Sequence, residues 1–119
     1  MAKKYLMVIT HSSDDPDRAN GAIGMAVSLL SEGADLVLFF VFEGAKMARK
    51  GVAETIEGEH MTPVRELFPA ILETELPMYV CGACVKKYNI PEGDIIAGVK
   101  IATLPTVTAE MLDRETIMF

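Results

Sequence analysis

The chain has 119 residues, of which 50 % are apolar and 24 % charged, and it carries a net charge of −6. These values describe an ordinary globular chain, long enough to bury a core as one domain over residues 1–119. The acidic balance argues against nucleic acid and anionic membrane as partners, and no apolar run is long enough to span a bilayer.

The opening YLMVI, after Lys3 and Lys4, is too short for a signal-peptide core or a membrane span. A cytoplasmic location is expected. Residues 4–10, KYLMVIT, read as a buried strand. The loop HSSDD follows, with Asp15 as helix N-cap and Pro16 at the first helical position. Ile23, Ala26, Val27 and Leu30 recur at helical spacing, and Gly33 ends that helix. DLVLFFVF, residues 35–42, is a continuous apolar run, as in a strand covered on both faces. A short helix over 45–50 and a mobile loop to His60 are expected next. Thr62-Pro63 opens a helix with Val64, Leu67, Phe68, Ile71 and Leu72 on one face. LPMYVC is a strand, and GACVKKY a short helix closed by Asn89 in a left-handed conformation. Val99 to Ala102 forms the fourth strand. Thr106 or Thr108 starts a last helix, and TIMF is a terminal strand.

Strands alternating with helices predict a three-layer α/β/α sandwich around a mainly parallel sheet of about five strands. In such sheets the site lies beyond the carboxyl ends of the strands. That rule selects His11–Asp15, Glu43–Ala45, Cys81–Cys84 and Leu104–Thr106. Only the cysteine loop holds an obvious nucleophile.

Both cysteines of the chain lie in YVCGAC, residues 79–84. Cys81 ends a strand and caps a helix, with Cys84 at the third helical position. Free amides and the helix dipole there favour thiolate over thiol. Gly82 removes bulk beside the sulfur, and Lys86 and Lys87 add positive potential. The bland alternative is two small buried residues filling a junction.

One CxxC supplies two of the four ligands of a structural zinc site. Only His11 and His60 remain to complete it, far apart in sequence. Each reads better as a loop residue, so no metal is expected. A thioredoxin also places CxxC between strand and helix, and Leu104-Pro105-Thr106 imitates its proline pair. Position in the chain refuses that fold, because Cys84 lies in the last third and too little sheet follows. Gly21 and Gly24 fall inside the first helix, where close packing on the sheet is the expected role. There is no GxGxxG, P-loop or GxSxG, so no cofactor is expected. Ser12, Ser13, Asp14 and Asp15 read as loop and cap residues rather than a hydrolytic cluster.

The order VITHSSDDPDRA, LFFVFEGA, MYVCGACVKKYNI, IIAGVKIA and RETIMF resembles the DsrE/DsrF/TusD-like family over nearly the whole chain. The resemblance implies assembly into homotrimers or hexamers and a role in sulfur handling. It matches Cys81 to the cysteine that carries sulfur as a persulfide and passes it on. Cys84 departs from the single-cysteine relay pattern and is a resolving or a bystander thiol. His11, Ser12, Glu43 and Gly82 are candidate pocket residues. The implied partners are sulfur donor and acceptor proteins or small polysulfides. Two other readings stay open: a non-catalytic oligomeric scaffold, and a thiol-disulfide redox protein using Cys81 and Cys84.

Overall fold

Five parallel strands form one sheet in the order β4-β3-β2-β1-β5. The computed structural model describes residues 2–119. In chain order the regular elements are β1 (Lys4–Ile9), α1 (Pro16–Ser31), β2 (Asp35–Phe40), α2 (Val64–Glu73), β3 (Met78–Cys81), α3 (Gly82–Lys87), β4 (Val99–Ala102), α4 (Leu104–Asp113) and β5 (Glu115–Met118). Short 3-10 helices occupy Phe42–Ala48, Ala53–Thr55 and Glu92–Asp94.

The layering follows from crossover handedness. From β1 to β4 each strand is added on the same side, so right-handed crossovers put their helices on one face. The chain then returns across the sheet to place β5 beside β1, which sends α4 to the other face. The side chains agree, alternating with period two. Met7, Ile9, Leu38, Phe40 and Val80 pack with Ile23 and Ala26 of α1 and with Phe68 and Ile71 of α2. Leu6, Val8, Val37 and Phe39 point the other way and pack with Val107 of α4. The expected α/β/α sandwich is the observed architecture.

Several boundaries are as expected. The Asp15 side chain caps α1 by accepting from the Arg18 amide at 3.2 Å. Gly33 and Asn89 both have positive φ, at 85° and 52°.

Others differ. The β2 run stops at Phe40, because Phe42 turns into the left-handed region at φ 54° and opens a 3-10 helix. That helix replaces the one expected over 45–50. The segment expected to be mobile is tied down: Asn20 Oδ1 accepts from the Gly58 amide, and Asp17 Oδ1 accepts from the Glu59 amide. Ile56 is buried beneath it. Pro63, not Thr62, holds the N-cap position of α2, while the Thr62 carbonyl accepts from Asn20 Nδ2. Leu72 is partly exposed. Gly24 faces Leu67 of α2 rather than the sheet, and Gly21 has open space beside it. The last helix starts at Leu104, two residues before Thr106, because Pro105 already has the φ of a first helical turn.

Candidate thiol site

Cys81 is the last residue of β3 and the N-cap of α3, and Cys84 is the third residue of that helix. The register pairs Cys81 with Ala102, the last residue of β4. The start of α4 therefore stands beside the thiol. Gly82 allows this close approach. A Cβ there would lie 3.3 Å from Ile101 Cγ2 and 3.4 Å from the Ala102 carbonyl oxygen.

Cys81 is half-buried, Cys84 is buried, and both are free thiols. Two clefts meet at Cys81. The larger, about 580 Å³, is walled by Phe39, Val85, Ile101, Ala102 and Leu104, with Lys86 and Glu92 as its charged members. The smaller, about 240 Å³, is lined by Phe42, Cys81, Ala83, Cys84, Lys87 and Tyr88. Both are mainly apolar, and Lys87 is the charged residue of the second.

Cys84 has a polar neighbour despite its burial. Its Sγ accepts a hydrogen bond from the Phe42 amide at 3.2 Å. Burial pushes the Cys84 thiol up from the ordinary value, and contact with the Cys81 thiol adds to the rise. The Phe42 amide and the Lys87 charge oppose them without overcoming them. Tyr88 carries two cations over its ring, Lys46 Nζ at 4.6 Å and Lys87 Nζ at 5.3 Å from the centroid.

The candidate pocket residues divide. Gly82 lines the large cleft. Glu43 reaches the site indirectly: its Oε2 lies 2.8 Å from Lys46 Nζ, and the better-aligned hydrogen bond runs to Oε1 at 3.3 Å. This partnership raises the Lys46 pKa and fixes Lys46 over Tyr88. His11 and Ser12 line neither cleft at the thiols. The Ser12 hydroxyl is buried and finds no hydrogen-bond partner among the described residues. His11 Nδ1 lies 2.7 Å from Asp14 Oδ2, and Asp14 Oδ1 accepts from the Ser12 amide at 2.7 Å. A third cleft, about 230 Å³, runs from Ser13 past Lys46 and Arg49 to Tyr88 and is the link between this loop and the thiol region. His60 is exposed, with its Nε2 3.7 Å from Glu59 Oε1. Among the described residues no group of three His, Cys, Asp or Glu side chains is gathered to hold a metal.

Asp14 gives a pH prediction. Its burial would raise the carboxyl pKa, but the Ser12 amide and His11 outweigh that and hold it below the ordinary 3.8. A depressed carboxyl stabilises the fold above its unfolded pKa and loses that contribution as pH falls through the folded value. Urea unfolding of Asp14→Asn should therefore lose less stability than wild type between about pH 5 and about pH 3. Parallel losses would mean that the carboxylate contributes nothing to the fold.

Phe42, Tyr88, Lys46 and Ile101 belong to the site and are not evident as such in the sequence, whereas Leu104 lies in a loop that the carboxyl-edge rule selects. Left-handed backbone is uncommon for a bulky residue, so nothing in FVFEGA marks Phe42. Ile101 reads as an ordinary apolar position until the β3–β4 pairing sets it beside Cys81.

Fold and site together define a three-layer α/β protein with two free thiols at the carboxyl edge of a parallel sheet. The chain belongs to the DsrE/DsrF-like family, whose model matches residues 3–119. That family is linked to sulfur relay. The chain is 26 % identical over 115 residues to the uncharacterized protein MJ0989 of Methanocaldococcus jannaschii, covering 97 % of each. It is 25 % identical over 113 residues to the uncharacterized protein MK0008 of Methanopyrus kandleri, covering 95 % of this chain and 90 % of that one. Among solved structures, the ychN protein from E. coli superposes with a TM-score of 0.79 at 17 % identity, covering both chains fully. MTH1491 of Methanobacterium thermoautotrophicum, a protein of unknown function, superposes with a TM-score of 0.73 at 12 % identity, covering 98 % of this chain and 99 % of that one. These two likenesses concern the fold.

Proposed function

We propose that this protein carries sulfur as a persulfide on Cys81. One observation carries the reading: the Cys81 thiol is half-buried at the strand–helix junction where the two clefts meet. The Cys81 thiolate attacks the outer sulfur of a donor persulfide or polysulfide. The new bond makes Cys81–S–SH, and the donor thiol leaves with the electron pair of the broken S–S bond. A partner thiol then attacks the outer sulfur, and Cys81 leaves as thiolate. Cys81 holds the N-cap position of α3 without a side-chain hydrogen bond, so its sulfur is uncommitted. The apolar cleft accommodates the body of a donor or acceptor, and Lys87 beside the small cleft favours an incoming anion.

Self-association into a trimer or hexamer belongs to the same reading. Leu104, Leu112 and Met118 are 75 %, 91 % and 63 % exposed, and apolar surface of that kind favours a protein contact. A cytoplasmic setting would keep both thiols reduced. No helix among the described residues is long and apolar enough to cross a membrane.

Reduced protein mixed with inorganic polysulfide should gain one or more sulfur atoms by intact mass. Peptide mapping should place the gain on Cys81, and a dithiol should remove it. Unchanged mass at a polysulfide excess would reject the carrier role.

A further inference from the structure

We propose that Cys84 is the resolving thiol of a sulfide-releasing step, in which its Sγ attacks Cys81 Sγ of the loaded protein, closes a Cys81–Cys84 disulfide and expels hydrosulfide. The inference rests on the carrier reading and adds a second chemical outcome to it. Its balance is complete. One S–S bond forms between the cysteines, and the Cys81–sulfane bond breaks with its electron pair going to the departing sulfur. Two cysteine thiols are oxidised, and one sulfane sulfur is reduced to sulfide. A dithiol reductant then returns the protein to its starting state.

Three features favour this role over simple packing. First, side chains three residues apart in a helical turn are neighbours on one face. Cys81 and Cys84 have that spacing, and both border the small cleft. Second, Cys84 Sγ has a polar partner supplied from outside its own helix. The Phe42 amide reaches it at 3.2 Å, from a residue held at φ 54° and with a 63 % exposed side chain. An uncommon backbone conformation at a bulky residue is a cost, and here it aims a donor at a sulfur. Third, Cys84 is enclosed while Cys81 is half-open. A donor in solution meets Cys81 first, and Cys84 is placed to reach the sulfur bonded to it.

Burial keeps Cys84 protonated at neutral pH, which gives an external acceptor time to take the sulfur. Release should therefore quicken as pH rises and Cys84 ionises. The groups facing Cys84 are Cys81, Lys87 and Tyr88 from its own segment, and the Phe42 amide from the 3-10 helix. Lys46, paired with Glu43, stands beyond them over Tyr88.

The test loads full-length protein with inorganic polysulfide, desalts it without reductant and follows free sulfide and protein mass together. Wild type should release sulfide one for one with a Cys81–Cys84 peptide lacking two hydrogens. Cys84→Ser, which keeps an acceptor for the Phe42 amide, should hold its Cys81 persulfide at least about tenfold longer, because an intramolecular attack is lost. Cys84→Ala should do the same. Persulfide that decays equally fast in wild type and variants, or sulfide released without disulfide, overturns the resolving role and leaves the carrier standing. Sulfur that never appears on Cys81 overturns both. Should neither variant fold, the wild-type pairing of sulfide with disulfide decides alone.

Discussion

Cys81→Ser is expected to abolish sulfur uptake and leave the fold intact. The loss should be at least about a hundredfold, since a serine hydroxyl is far less ionised and far less nucleophilic toward sulfane sulfur. Stability should hold for a local reason. The Cys81 side chain makes no capping hydrogen bond, so none is lost. Serine is itself a favoured N-cap and could satisfy an amide that the thiol leaves free. Loading with polysulfide, read by intact mass, checks the first claim, and the unfolding midpoint checks the second. Cys84→Ser is the companion variant and should still load at Cys81. A Cys81→Ser protein that loads as wild type does would move the sulfur elsewhere and end the assignment.

The second large effect concerns a glycine that touches no sulfur. Gly44 is buried against the end of β1. A Cβ there would lie 2.7 Å from the Ile9 carbonyl carbon, closer still to its oxygen, and 3.2 Å from the His11 amide nitrogen. All are backbone atoms, those of Ile9 belonging to the end of β1 paired with Phe40 of β2, and they cannot step aside as a flexible side chain would. The Ile9 carbonyl also accepts from the Val41 amide at 3.0 Å. Gly44→Ala should cost about 3 kcal/mol or more, at the severe end for a single substitution. It should lower the unfolding midpoint by about 10 °C. It should also shift the 3-10 helix that begins at Phe42 and so disturb the amide bonded to Cys84. Gly21→Ala is the control: it has open space within α1 and should be neutral or stabilising by up to about 1 kcal/mol. Equal stability of the two variants would mean that the β1–Gly44 contact is not tight.

Much of this organisation is legible in the chain because short-range physics writes it there. Apolar runs locate β1 and β2, since a strand buried on both faces has no polar alternation to hide it. Asp15-Pro16 marks the start of α1, and Gly33 and Asn89 mark helix ends, because caps need particular side chains or positive φ. Cys81 could be placed on a helix N-cap from the change of MYVC into GACVKK. The resemblance to the DsrE/DsrF-like family rests on five segments, that stretch the most specific of them, and holds over residues 3–119.

What the chain does not spell out is what depends on distant partners. Periodicity shows that a segment pairs, but not with which strand. The order β4-β3-β2-β1-β5, and with it the meeting of Cys81 with Ala102 and Leu104, appears only in three dimensions. The left-handed turn at Phe42 runs against the local preference of a bulky residue. The tie from Asn20 to Gly58 joins residues far apart in the chain, which no local pattern can announce. Local pattern marks most of the regular elements, the layering and the strand–helix position of the two thiols, but not the 3-10 helix over Phe42–Ala48. Tertiary structure decided which residues surround those thiols, because strand order and long-range hydrogen bonds are settled by the global packing that local propensity does not encode.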